Sequence, residues 1–157
     1  MIEKRIKKKG YKFIYTILFQ AYQVYCRIRN PEVFGSYVLC QSENKVLLIK
    51  HSYKKYWTLP CGGISMGETP VEAAIRESRE EVGLRLRSDQ LILRAKILYE
   101  GENQKENIHL FEYCFEHIPE ITIDHKEVED FRWVSQEELK QYYILEPIYP
   151  YVYAALN

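Results

Sequence analysis

Residues 62–84 read GGISMGETPVEAAIRESREEVGL, a glycine-rich turn that runs straight into a carboxylate-loaded helix, and no other stretch constrains the chain as tightly. Thr69-Pro70 predicts the helix start, because threonine caps well and proline suits the first helical position, where no backbone donor is needed. Val82-Gly83 predicts its stop, since glycine can take the left-handed conformation of a helix end. At about 100° per residue, Glu77, Glu80 and Glu81 share one face, while Val71, Ala74, Ile75, Ser78 and Val82 share another. The second face is mostly apolar and is expected to pack on a sheet, which turns the glutamates away from it. Like charges at this spacing repel, and neither Arg76 nor Arg79 is expected to lie centrally among the three acids. A hard divalent cation can do so, because Mg²⁺ favours several oxygen ligands. The ordinary reading of an acidic run is a face turned to water. Gly62, Gly63 and Gly67 point elsewhere, because a backbone bare of side chains is needed where a ligand or metal comes close.

A chain of 157 residues, 46% of them hydrophobic, suits one domain with a sizeable core and one active site. The 22 basic and 22 acidic side chains cancel, so bulk charge gives no reason to expect stable DNA binding. Cys26, Cys40, Cys61 and Cys114 form no CxxC pair and no cleavable signal precedes them, which reads as reduced thiols in a cytoplasmic protein. His51, His109, His117 and His125 lack zinc-like spacing, and none is assigned to a metal.

Residues 1–30 open with the basic run Lys4, Arg5, Lys7, Lys8 and Lys9, then carry Ile14, Ile17, Leu18, Ala21, Tyr25 and Ile28 at helical spacing. They predict one amphipathic helix, too interrupted by polar side chains for a membrane span of roughly 20 apolar residues. That helix can pack on its own domain or on a second copy in a homodimer, make weak contact with an anionic membrane surface, or guide RNA; packing is preferred, because aromatic stripes at this spacing are usually core. Asn30-Pro31 ends it. Residues 33–40 and 45–50 predict a hairpin, as do 91–99 and 108–118 across the polar loop 100–107. A last strand is expected at 131–134, and Ser135-Gln136-Glu137-Glu138 resembles a capping box opening a helix through about residue 142. Pro147 and Pro150 are expected to fragment the aromatic tail. Hairpins around one central helix, with a helix near the end, give an α+β sandwich. Lys50, Lys54 and Lys55 are placed to meet phosphates or simply to face water.

Gly62, Glu68, Arg76, Glu77, Glu80, Glu81, Gly83 and Leu84 together resemble the Nudix hydrolase box, G-x5-E-x7-R-E-U-x-E-E-x-G-U with U a bulky aliphatic residue. Eight fixed positions over 23 residues make this a specific match. Only Ser78 departs, standing where an aliphatic residue is expected; a buried serine can bond the carbonyl one turn back. Trp57-Thr58-Leu59-Pro60 is similar to the lead-in found in that family, with Cys61 where glycine is common. The resemblance implies an α/β/α arrangement with a mixed sheet over most of residues 33–145, and hence a domain at 31–157 with residues 1–30 as an addition. It implies a metal-dependent hydrolase that cleaves a nucleoside diphosphate linked to another group, with Mg²⁺ or Mn²⁺ on Glu77, Glu80, Glu81 and the Gly62 carbonyl. Arg76 and Glu68 would orient the site, with Arg76 also open to an ion pair with Glu72 or Glu80. Gly63, Glu68 and Lys50 are candidates for contact with a nucleotide-type small molecule. The general base is sought in the box or in the later loop, where Glu127 is favoured over Glu129. A silent nucleotide-binding or regulatory module is the alternative. In the absence of metal, relief of repulsion by Glu81→Gln is expected to leave the fold unchanged or slightly steadier.

Overall fold

The computed structural model describes the backbone from Ile2 to Asn157, and side chains from Phe13 onward. The side chains of the basic run at 4–9 therefore lie outside the described residues. Three helices, α1 (Ile2–Arg29), α2 (Pro70–Val82) and α3 (Tyr149–Ala155), accompany six strands: β1 (Glu32–Ser42), β2 (Lys45–His51), β3 (Cys61–Gly63), β4 (Ile92–Gly101), β5 (Gln104–Cys114) and β6 (Val128–Val134). The sheet runs β4-β5-β1-β2-β6, with β3 paired to β1. It is mixed, because β1 and β5 run parallel while the other pairs are antiparallel. Strand β5 accompanies β1 from Glu32 to Gln41 along one edge, so β2 and β3 share the other. The glycine turn therefore enters the sheet beside β1.

Strict alternation builds the two cores. Tyr37, Leu39, Val46 and Leu48 face one side, with Ile148 and Val152 from the C-terminal segment. Val38, Cys40, Leu47 and Ile49 face the other, where Ala74 and Val82 of α2 cover them. A pleated strand sends successive side chains to opposite faces, so β1 and β2, buried on both, read as continuous apolar runs. Helix α2 meets the sheet with Ala74, Ser78 and Val82, as its periodicity predicts. The Ser78 hydroxyl, however, finds no hydrogen-bond partner among the described residues, so the expected bond to the preceding turn is not made.

Both hairpins turn on Glu-Asn pairs with positive φ, Glu43-Asn44 and Glu102-Asn103, the backbone of tight two-residue turns. The predicted loop at 100–107 thus shrinks to two residues and the remainder is ladder, while β5 stops at Cys114. The helix expected after Ser135 is only a single 3-10 turn at Leu139–Gln141. Ser135 does bond the Glu138 carboxylate from its amide at 3.0 Å. Beyond that turn the chain is drawn out against Trp57, whose amide donates to Tyr143 O at 2.7 Å and whose carbonyl accepts from Leu145 at 2.9 Å. The tail that prolines were expected to fragment forms α3, because Pro150 falls in the first turn, where it costs no hydrogen bond.

Helix α1 docks, but not with the stripe that its sequence singled out. Ile14, Ile17, Leu18, Tyr25 and Ile28 are exposed. The docking face is Tyr15 and Phe19 against Tyr53, with ring centroids at 6.3 and 5.1 Å, and Tyr22, whose hydroxyl donates to Gln104 Oε1 at 2.9 Å. Cys26 is fully buried and points to the same amide oxygen. Aromatic rings with polar tips can satisfy Gln104 while covering Tyr53, which an aliphatic stripe cannot.

Gly83 closes α2 at φ 74°, donating its amide to Arg79 O, and an added Cβ would stand 3.3 Å from Thr122. Gly83→Ala is therefore expected to lower unfolding free energy by about 1–2 kcal/mol, read by urea denaturation of the metal-free protein.

Candidate active site

Helix α2 is anchored at both ends before it presents any chemistry. Thr69 caps it by accepting from Glu72 N at 3.2 Å, and the Glu72 carboxylate accepts from Thr69 N at 2.8 Å. Ser36 of β1 donates its hydroxyl to Pro70 O at 2.7 Å, which pins the first turn to the sheet. At the far end, Thr122 and Asp124 donate their amides to Val82 O and Glu81 O, each at 3.0 Å. The carbonyls that a helix leaves unsatisfied thus tether the 122–127 loop.

Arg76 occupies the position that the repulsion argument denied it. It donates Nε and Nη2 to the two oxygens of Glu68, at 2.8 and 2.9 Å, and Nη2 also reaches Gly63 O at 2.9 Å. Its Nη1 bonds Glu77 and lies 3.5 Å from Glu80. One guanidinium thus joins the glycine turn to two of the three acids. Glu68 is its turn partner, while Glu72 is committed to the cap. The bidentate bond to Arg76, helped by the Ser65 amide, holds the Glu68 carboxyl down at about 2.

Glu77 is pushed up to about 7 by burial, against the pull of Arg76 and with added repulsion from Glu81 and Glu80. It lies directly over Gly62. A Cβ there would fall 2.0 Å from the Glu77 carboxyl carbon, so only glycine leaves room for the acid. Glu80 stays half exposed.

Glu81 corrects the expectation that all three glutamates turn away from the sheet. It is 4% exposed, accepts from the Cys61 amide at 2.9 Å and meets His51 Nε2 at 2.5 Å. A buried carboxylate is tolerated only with such partners, and the ends of β2 and β3 supply them. His51, buried and stacked on Tyr53 at 5.3 Å, was not singled out from the sequence. A signal was there: it continues the alternation of Leu47 and Ile49, which face α2.

A cleft of about 510 Å³ gathers Arg76, Glu77, Glu80 and Glu81 from α2 with Asp124, Lys126 and Glu127 from the tethered loop. Of the two downstream acids, Glu127 lines it and Glu129, on β6, does not. Lys50 stands opposite Asp130 across the β2–β6 ladder, outside the lining of this cleft. Asp124 and Lys126 carry no motif and become visible only through the loop's bonds to α2. A second cleft, about 370 Å³, is walled by Phe19, Tyr53, Tyr56, Tyr99 and Tyr143, with Lys54 and Lys55 at hand. Lys54 is already bonded to Glu102 at 2.6 Å and to the Tyr56 hydroxyl. Tyr53, which lines this second cleft, is stacked on the His51 that holds Glu81.

The carboxylate oxygens of the first cleft suit a hard divalent cation. Among the described residues no three acidic, histidine or cysteine side chains already converge at ligand spacing. Arg76 instead holds Glu68, Glu77 and Glu80, and His51 holds Glu81, with the Glu77 carboxyl packed directly over the bare Gly62 backbone.

Residues 30–156 match the family model of the NUDIX domain. The chain belongs to the Nudix hydrolase family. Its relatives include the nucleoside triphosphatase NudI of Escherichia fergusonii, 31% identical over 121 residues that cover 69% of this chain and 79% of that protein. A probable DHNTP pyrophosphohydrolase of Lactococcus lactis is 29% identical over 126 residues, 73% and 74% of the two chains. Among solved structures, a Nudix-family hydrolase from Clostridium perfringens superposes with a TM-score of 0.67 at 25% identity, over 78% of this chain and 95% of that one. By family, the chain is a Nudix-type pyrophosphohydrolase. Residues 1–29 lie outside the matched span.

The burial of Glu81 changes what its substitution tests. Glu81→Ala would orphan the Cys61 amide and His51 together and is expected to lower stability by about 2–3 kcal/mol. Glu80→Gln should stay within about 0.5 kcal/mol. Chemical denaturation without metal distinguishes the two, so Glu80, rather than Glu81, gives the cleaner probe of ligation.

Proposed function

We propose that this protein hydrolyses the phosphoanhydride of a nucleoside diphosphate linked to another group, with Mg²⁺ or Mn²⁺ held by Glu77, Glu80, Glu81 and the Gly62 carbonyl. The observation that carries this reading is the convergence of the box acids and Glu127 on one cleft, beside a second lined with tyrosines. Bound there, a divalent cation supplies charge neutralisation for the phosphate oxygens and acidifies the attacking water.

The remaining work falls to the chain. Arg76 fixes the glycine turn against α2 through Glu68 and Gly63, which keeps Gly62 beside Glu77 before substrate arrives. Glu127 accepts the proton of the attacking water. Lys126, 3.8 Å from Asp124 in the same loop, lies where it can balance charge on the leaving phosphate. The aromatic cleft offers π faces on which a base can stack, with the phosphates directed past Tyr53 toward Glu81.

The nucleoside triphosphatase and pyrophosphohydrolase names of the relatives favour triphosphates among the candidates. The test is a panel of nucleoside triphosphates, ADP-ribose, nucleotide sugars, dinucleoside polyphosphates and 5′-triphosphorylated RNA, each with Mg²⁺ and with Mn²⁺. Metal-dependent release of phosphate, pyrophosphate or a monophosphate is expected from at least one. Absence of turnover across the panel would favour a silent binding module.

On the substrate so found, Glu80→Gln is expected to lower kcat at least about a hundredfold. Arg79→Gln, exposed and away from the cleft, should stay within about twofold. Glu127→Gln should lower kcat by about two orders of magnitude while Glu129→Gln leaves it unchanged; equal effects would remove Glu127 from the role of base.

A further inference from the structure

Helix α1 carries two apolar faces and the domain covers only one. Tyr15, Phe19, Tyr22 and Cys26 dock. Ile14, Ile17, Leu18, Val24, Tyr25 and Ile28 remain 48–75% exposed on an arc of about 120° at 100° per residue. Such an arc is large for a surface left in water.

Charge identifies what covers it. Residues 1–30 hold eight of the 22 basic side chains and one of the 22 acidic ones, a net charge of +7, so residues 31–157 carry −7. The apolar face lies on the basic part of the chain, and Arg27 and Arg29 extend that charge to the helix's last turn. Two copies joined by the exposed faces of their α1 helices would bring +7 against +7. An anionic lipid surface meets the same charge with attraction and gives the aliphatic side chains an apolar layer to enter. No helix among the described residues is long and apolar enough to cross a membrane, so α1 would lie in the interface plane.

We propose that the exposed face of α1 binds an anionic membrane surface, with the docked face holding the catalytic domain above it and the acidic charge of that domain setting its orientation. Because Phe19 forms part of the tyrosine-lined cleft, the helix on the membrane would also wall one of the domain's clefts.

The test is co-sedimentation of the full chain with vesicles of phosphatidylcholine alone and of phosphatidylcholine with roughly 30% phosphatidylserine. The protein is expected to pellet with the anionic vesicles and to be released by about 0.5 M salt. Ile17→Gln with Leu18→Gln, at positions exposed in the folded chain, should weaken binding about tenfold or more, with unchanged thermal unfolding as the control. Lys7→Glu, Lys8→Glu and Lys9→Glu together should do the same and preserve the test if the first variant folds poorly. Failure to pellet, equal pelleting with neutral vesicles, or indifference to both variants overturns the proposal. So does a dimer seen by light scattering that Ile17→Gln with Leu18→Gln dissociates, which would assign the face to a second copy.

Discussion

The buried carboxylate of Glu81 is the point on which the site depends. It accepts from the amide that opens β3, bonds the histidine that closes β2, and sits in the last turn of α2, so one group joins three separate elements. Without those partners a charge at this depth would not be tolerated. With them, the glycine turn, the sheet and the helix are held in one relation. The mostly buried Glu77 and the half-exposed Glu80 then occupy graded depths along the same cleft.

Arg76 performs the complementary task at the mouth. Its five donors reach Glu68, Gly63, Glu77 and Glu80. A planar guanidinium can do this where a lysine ammonium cannot. The acids that repel one another are therefore held from two sides, by the Arg76 guanidinium near solvent and by hydrogen bonding to His51 within the core. Any cation taken up by the cleft enters a site whose charges are already organised and whose backbone is kept bare at Gly62.

The box was legible because its spacing is local: capping at Thr69, the left-handed Gly83 and the apolar face of α2 all follow from residues within a few turns of one another. The paired strands were legible from their apolar runs and the polar stretches between them. The tight Glu-Asn turns were not, because the left-handed backbone at Glu102-Asn103 lets the ladder continue through most of 100–107. The helix anticipated after Ser135 failed because long-range pairing with Trp57 outcompeted a local cap. The α3 helix was missed because Pro150 was read as a breaker at a position where it opens a helix. Lys50, a candidate for phosphate contact by its place ahead of the glycine turn, stands opposite Asp130 in the β2–β6 ladder and outside the lining of the acidic cleft.

From its sequence alone this chain determined a Nudix-type α+β domain, a capped α2 with its acids at fixed spacing, and an added N-terminal helix that is amphipathic. These are properties of neighbours in the chain, governed by backbone geometry and helical period. Only the tertiary structure decided that Glu81 turns inward, that the loop carrying Glu127 closes on the cleft, that Arg76 lies among the acids, and which face of α1 docks. Glu81 depends on His51 thirty residues back, the loop of Glu127 on the bond from the Asp124 amide to Glu81 O, and α1 on Gln104, while Arg76 meets Glu68 across the glycine turn. Periodicity specifies which residues share a face, but what meets that face is set by the other elements packed around it.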